Sequence, residues 1–270
     1  MLQFAQSIAE QLSALDGVQA VVLGGSYAKG TAAPTSDIDL GIYYDPAHPP
    51  RLDDLKTLAG RLDDEHRSEA VTEFGAWGPW INGGAWLTIQ GQHVDWLYRD
   101  LSRVEQEITN CEQGRVAVFY QPGHPHGFYN HIYLGEVHIC RPLFDRTGRL
   151  AALKRRAAIY PPALKQALFD GLWEATFSLQ NAHKPAERGD VVTVIGHLYR
   201  ALAVMIQAIF ALNEQYCINE KGALALIESF NTKPDHFSAR AAALLNNANI
   251  PDMETLLHEV QTLVGNAVVS

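Results

Sequence analysis

The feature that most constrains this chain is a change of texture near residue 148. Before it, short runs rich in β-branched and aromatic residues alternate with stretches of helical periodicity; after it, helical spacing dominates. Ala5, Ile8, Leu12 and Leu15 predict an amphipathic helix over 2–15, stopped by Asp16-Gly17. Val18 to Leu23 and Ile38 to Tyr44 read as buried strands, with a helix marked by Leu52, Leu55, Leu58 and Leu62 after them. Residues 85–90 and 92–98 read as two strands around Gln90-Gly91, a tight hairpin. Ser102 and Glu105 have capping-box spacing for a helix to about Asn110. Residues 115–121 are a strand candidate, and a loop rich in Pro, Gly and His follows. Beyond Phe144-Asp145-Arg146-Thr147-Gly148, Leu198, Leu202, Met205, Ile209 and Leu212 form one helix face, and Met253, Leu256, Leu257, Val260 and Leu263 another. The expected architecture is α/β (α+β): a small mixed-sheet domain over 1–148, then an all-helical bundle over 149–270.

Charge follows the same division. Residues 1–145 hold 9 Lys/Arg against 19 Asp/Glu, a net of −10, and residues 146–270 hold 12 against 11, a net of +1, so the net charge of −9 arises wholly in the first half. Long contacts to nucleic acid require many neutralised phosphates, and a template-directed polymerase is disfavoured. The N-terminus has no basic region ahead of an apolar core, so it does not read as a signal peptide. The strongest apolar stretch, Ala201 to Leu212, is too short to span a bilayer. Cys111, Cys140 and Cys217 match neither a metal spacing nor a disulfide framework, and a cytoplasmic location without membrane partners is expected.

The chemistry concentrates in VLGGSYAKGTAAPTSDIDLGIYY, residues 22–44. In a strand, Asp37 and Asp39 point to one face while Ile38, Leu40 and Ile42 point to the other. Two adjacent carboxylates repel each other unless a cation lies between them, and hard oxygen ligands of this kind suit Mg²⁺. Upstream, Leu23-Gly24-Gly25-Ser26 opens a turn after a strand, where glycines admit a phosphate and free amides bind it. The stretch GSYAKGT is not a Walker A loop. A phosphate cradle and an acidic pair therefore stand side by side.

This segment resembles the signature of the DNA polymerase β-type nucleotidyltransferase superfamily. That signature is an apolar-Gly-Gly/Ser turn followed by an apolar-Asp-apolar-Asp/Glu strand; Ser36 departs from it by preceding Asp37. The family has a third carboxylate on a later strand, and Asp95 in His93-Val94-Asp95-Trp96-Leu97 matches it. The motif-level likeness runs from Val22 to Leu97. A weaker one, in RGDVVTVIGHLY from Arg188 and in Asn219-Glu220-Lys221-Gly222, is to aminoglycoside adenylyltransferases and similar antibiotic nucleotidyltransferases.

The resemblance implies transfer of a nucleoside monophosphate, AMP being the expected one, from a nucleoside triphosphate to a hydroxyl of a small-molecule acceptor with release of pyrophosphate. It implies one or two Mg²⁺ ions on Asp37, Asp39 and Asp95, with the triphosphate held by Gly24, Gly25, Ser26, Lys29 and Ser36. From the helical half it implies Lys221 and His197 as triphosphate contacts. Asp95 is the first choice for general base and Glu73 the second. An antitoxin-like enzyme that modifies a protein and a non-catalytic nucleotide binder are the alternatives. His124, His126, His131 and His138 fit no standard zinc spacing and are read as lining an acceptor pocket; Trp77, Trp80 and Trp86 pack a loop or stack on a substrate ring.

Overall fold

The computed structural model describes residues 1–269. The chain divides into two compact units, and the first comprises 1–109, 121–123 and 133–159. It holds a five-stranded mixed sheet of order β3-β4-β2-β1-β7. The strands are β1 Val18–Leu23, β2 Ile38–Tyr44, β3 Gly84–Ile89, β4 Gln92–Asp100 and β7 Arg141–Asp145. β2 and β4 run parallel, while the β1–β2, β1–β7 and β3–β4 pairs are antiparallel. Helices α1 Leu2–Ser13 and α3 Leu52–Leu62 bury Ile8, Leu12, Leu55 and Leu58 against the sheet's apolar face, which supplies Ile38, Leu40, Ile42, Val94 and Trp96. This alternation leaves Asp39 and Asp95 on the opposite, less buried face. The short α2, Gly25–Lys29, joins β1 toward β2.

Two aspartates after α3 hold the β3–β4 hairpin in place. The buried Asp63 carboxylate accepts from Arg67 Nε and Nη2, both at 2.8 Å, and from the Thr88 amide at 2.8 Å. The Asp64 carboxylate accepts from the Gln90 and Gly91 amides, each at 2.8 Å. Gln90 and Gly91, at φ 52° and 75°, form the tight turn expected from their sequence. Arg67 holds the Asp63 carboxyl far below the usual aspartate range. Its stabilisation is therefore present at all pH values above that range and is lost only as pH falls through the depressed value. Asp63→Ala leaves a guanidinium and a buried amide without their partner and is expected to cost about 3 kcal/mol. Thermal melting should show a drop on the order of 10 °C; a change near zero would mean the hairpin does not depend on this carboxylate.

Among the described residues the second unit comprises 110–120, 124–132 and 160–269. It is helical apart from a two-residue ladder, β5 Val118–Phe119 with β6 Phe128–Tyr129. Its helices are α7 Pro162–Asp170, α8 Leu172–Glu187, α9 Val191–Leu212, α10 Ala223–Glu228, α11 Phe237–Asn247 and α12 Ile250–Val269. By length and composition α9 would cross a membrane, but 72% of its most apolar window is buried, as in a core helix. Asp190 caps it by accepting from the Thr193 amide at 3.1 Å.

Three local expectations are corrected. The helix expected from Ser102 is α4, Leu101–Glu112, because Asp100 Oδ1 captures the Ser102 and Arg103 amides at 2.9 and 3.0 Å and acts as the cap. The strand expected over 115–121 shrinks to Val118–Phe119, since the Asn130 side chain takes the backbone groups of Arg115 and Ala117. The loop rich in Pro, Gly and His gives way to helix α5, His131–Ile139, where the sequence spacing predicts none. Helix α6, Arg149–Ala157, begins under a cap from Asp145, whose carboxylate accepts from the Gly148 and Ala151 amides at 3.0 and 2.9 Å.

Candidate active site

The site is built on the open face of the sheet in the first unit. Asp39 sits inside β2, and Asp37 lies one residue before it, exposed, rather than within the strand as the spacing alone suggested. Asp95 pairs directly with Asp39 in the parallel β2–β4 register. Strands lie about 4.8 Å apart, so the pairing sets the two carboxylates side by side. Burial, and then the charges of Asp39 and Asp37, push the Asp95 carboxyl up to about 6. Both of those charges thus repel the Asp95 carboxylate in the folded chain.

The glycine turn closes directly onto this group. The Gly24 amide donates to the Asp39 carbonyl at 2.8 Å. Gly25 has φ +54°, and a Cβ there would lie 1.7 Å from Asp39 Oδ2. Only glycine allows this approach. Ser26 is half-buried at the start of α2, and Lys29 is exposed at its end. The Ser36 hydroxyl accepts from the Ala33 amide at 2.9 Å, which shapes the loop leading to Asp37. The glycine turn and the Asp39–Asp95 pair are therefore one structure and not two neighbours in sequence.

Mg²⁺ is commonly held by one or two carboxylates together with substrate phosphates and water. Asp37, Asp39 and Asp95 fit that donor chemistry. Among the described residues no group of three His, Cys, Asp or Glu side chains forms a ready cage for a metal ion. A cavity of about 620 Å³ in the same unit is lined by Gln3, Gln6 and Arg141 among others, and by none of the expected site residues.

In the second unit, His197 is half-buried on α9 and Lys221 is exposed in a turn, its amide donating to Asn219 Oδ1 at 2.8 Å. Glu220 beside it contacts His124 Nδ1 at 3.2 Å and accepts from the His126 amide at 3.4 Å. His131 is fully buried, and its burial lowers the imidazole to about 4. His138 belongs to the first unit, with Nδ1 against the Ala157 carbonyl at 2.9 Å. Glu73 is exposed, 3.7 Å from Lys56. The register also reveals a neighbour that sequence spacing does not: Trp86 on β3 is paired with Asp95.

Residues 5–73 match the nucleotidyltransferase domain family. The chain carries a nucleotidyltransferase domain and is a transferase. The matched span contains the glycine turn, Asp37 and Asp39 but stops short of Asp95, whose place beside Asp39 comes from the strand register. No curated protein matches the chain. Among solved structures it is similar to a nucleotidyltransferase-like protein from Exiguobacterium sibiricum, at 10% identity and a TM-score of 0.45, over 99% of this chain and 74% of that one.

Proposed function

We propose that this transferase moves a nucleoside monophosphate, AMP first among the candidates, from a nucleoside triphosphate to a hydroxyl of a small molecule in the cytoplasm. The observation that carries this reading is the Asp39–Asp95 register pair lying against the Gly25 turn. The acceptor oxygen attacks the α-phosphorus, the bond from that phosphorus to the bridging oxygen of the β-phosphate breaks, and pyrophosphate leaves. Asp95 takes the hydroxyl proton; Glu73 is the weaker candidate for that task. The Gly24–Ser26 turn supplies amides and a hydroxyl to the phosphates, and Lys29 adds a positive charge at the end of the same short helix. Asp37, Asp39 and Asp95 would hold a divalent cation, which, when bound, neutralises charge on the departing pyrophosphate. The rest of the catalysis is positioning.

The long helical unit favours a small-molecule acceptor over a protein one, since it provides material for a dedicated acceptor pocket. Incubation with α-labelled triphosphate and a whole-cell extract separates the two: label in the small-molecule fraction supports the reading, and label on a protein band overturns it. On the resemblance to antibiotic nucleotidyltransferases, Lys221 and His197 contact the triphosphate. Lys221→Ala is then expected to raise the Michaelis constant for the nucleotide about tenfold, or ~1.4 kcal/mol, with Lys221→Arg recovering part of it. Wild-type nucleotide kinetics in Lys221→Ala would remove that residue from the site.

A further inference from the structure

The glycine turn, Asp39, Asp95 and Trp86 form a single row across the sheet. Gly25 packs on Asp39, Asp39 pairs with Asp95 across β2–β4, and Asp95 pairs with Trp86 across β4–β3. Directly opposed residues share a face, so the Trp86 indole stands on the same side as the carboxylates. Trp86 is 62% exposed although it belongs to a strand whose next residues inward, Ala85 and Leu87, are buried. One indole face is already taken: Trp77 stacks on it with ring centroids 4.5 Å apart and planes 17° from parallel.

The stack is held from behind. The Trp77 amide donates to the Asn82 carbonyl at 3.0 Å, and its carbonyl accepts from the buried Gln121 Nε2 at 2.8 Å. Asn82 in turn donates to the Tyr44 hydroxyl at 2.8 Å. Gly84 leaves room for the Trp77 ring, which a Cβ there would meet at 3.2 Å. A stacked, braced and solvent-exposed tryptophan on an edge strand is an aggregation liability, and it suits ring recognition well.

We propose that Trp86, backed by Trp77, is the platform for the ring of the acceptor, a hydroxyl-bearing sugar or aromatic ring whose hydroxyl faces Asp95. This rests on the nucleotidyl-transfer reading of Asp37, Asp39 and Asp95. The order of the row assigns the ends. The turn that faces phosphate touches Asp39, and Trp86 lies two strands away, about 10 Å at about 4.8 Å per strand. The triphosphate enters from the glycine end, and the attacking hydroxyl comes from the tryptophan end.

The test uses the full chain with Mg²⁺, a non-hydrolysable triphosphate and p-nitrophenyl β-glucoside, which joins a sugar ring to an aromatic one. Calorimetry should show the glucoside binding to wild type, at least tenfold weaker binding to Trp86→Ala and partial recovery in Trp86→Phe. Triphosphate affinity should stay within about twofold in both variants. Circular dichroism confirms folding; Trp86→Gln is the second variant should Trp86→Ala aggregate. No glucoside binding to wild type, or equal binding to all variants, overturns the platform. A tenfold loss of triphosphate affinity in Trp86→Ala overturns it too, because the ring then seats the nucleobase. Failure of the underlying reading has a different signature: Asp39→Asn would keep metal-dependent triphosphate binding, whatever the glucoside does.

Discussion

Asp39→Asn is expected to lower nucleotidyl transfer at least a thousandfold, about 4 kcal/mol of transition-state stabilisation, while making the metal-free protein more stable. The substitution is isosteric, so the β2 register with Asp95 and the contact with the Gly25 turn persist. What it removes is one of the two charges that, after burial, hold the Asp95 carboxyl up at about 6. Relief of that repulsion should stabilise the fold by about 1 kcal/mol and raise the melting temperature by a few degrees. Added Mg²⁺ should stabilise wild type by mass action and leave the variant unmoved. Thermal melts with EDTA and with Mg²⁺, beside a pyrophosphate-release assay, read all three effects. A variant that loses activity and also melts lower would show Asp39 to be a structural carboxylate, and one with wild-type turnover would remove it from the metal site.

Gly25→Val should lower triphosphate affinity well over tenfold, more than ~1.4 kcal/mol, through two separable causes. The first is conformational: φ is +54°, a region that a β-branched residue adopts only under strain, on the order of 1–3 kcal/mol. The second is contact, since any Cβ at this position falls on the Asp39 carboxylate. Gly30 provides the control. It has φ +75°, but nothing lies within 4 Å of a Cβ built there. Gly30→Ala therefore carries the backbone cost alone and should melt lower while binding triphosphate nearly as wild type does. Gly25→Ala should lose both stability and affinity. Calorimetry that finds the two alanine variants equal in affinity would show that the turn does not face the phosphates.

The parts of this protein that were legible in sequence are those decided within a few residues of chain. Val18–Leu23 and Ile38–Tyr44 match the observed strands because short apolar runs bounded by turn residues leave little alternative. Gln90-Gly91 makes its hairpin because Gly91 takes positive φ freely, while the Asp64 carboxylate, accepting from both amides, holds Gln90 there. The glycine turn and the Asp37/Asp39 pair are read from spacing, since alternation along a strand sends the pair and the apolar residues to opposite faces. Expectations broke where a side chain from elsewhere competed for the backbone. Asp100 took the helix start from Ser102, and Asn130 took the groups that a longer strand over 115–121 would have used.

The sequence by itself determined the mixed sheet followed by helices, and the residue types able to cradle a phosphate and bind a hard cation. The tertiary structure decided which of them meet. That Asp95 lies beside Asp39, that Trp86 extends the same row, and that Glu220 contacts His124 all depend on pairings between residues far apart in the chain. The first two follow from strand order and register, and the third from how two loops of the second unit meet. A shift of one residue would have turned Asp95 and Trp86 into the opposite face, and local composition carries no record of that choice.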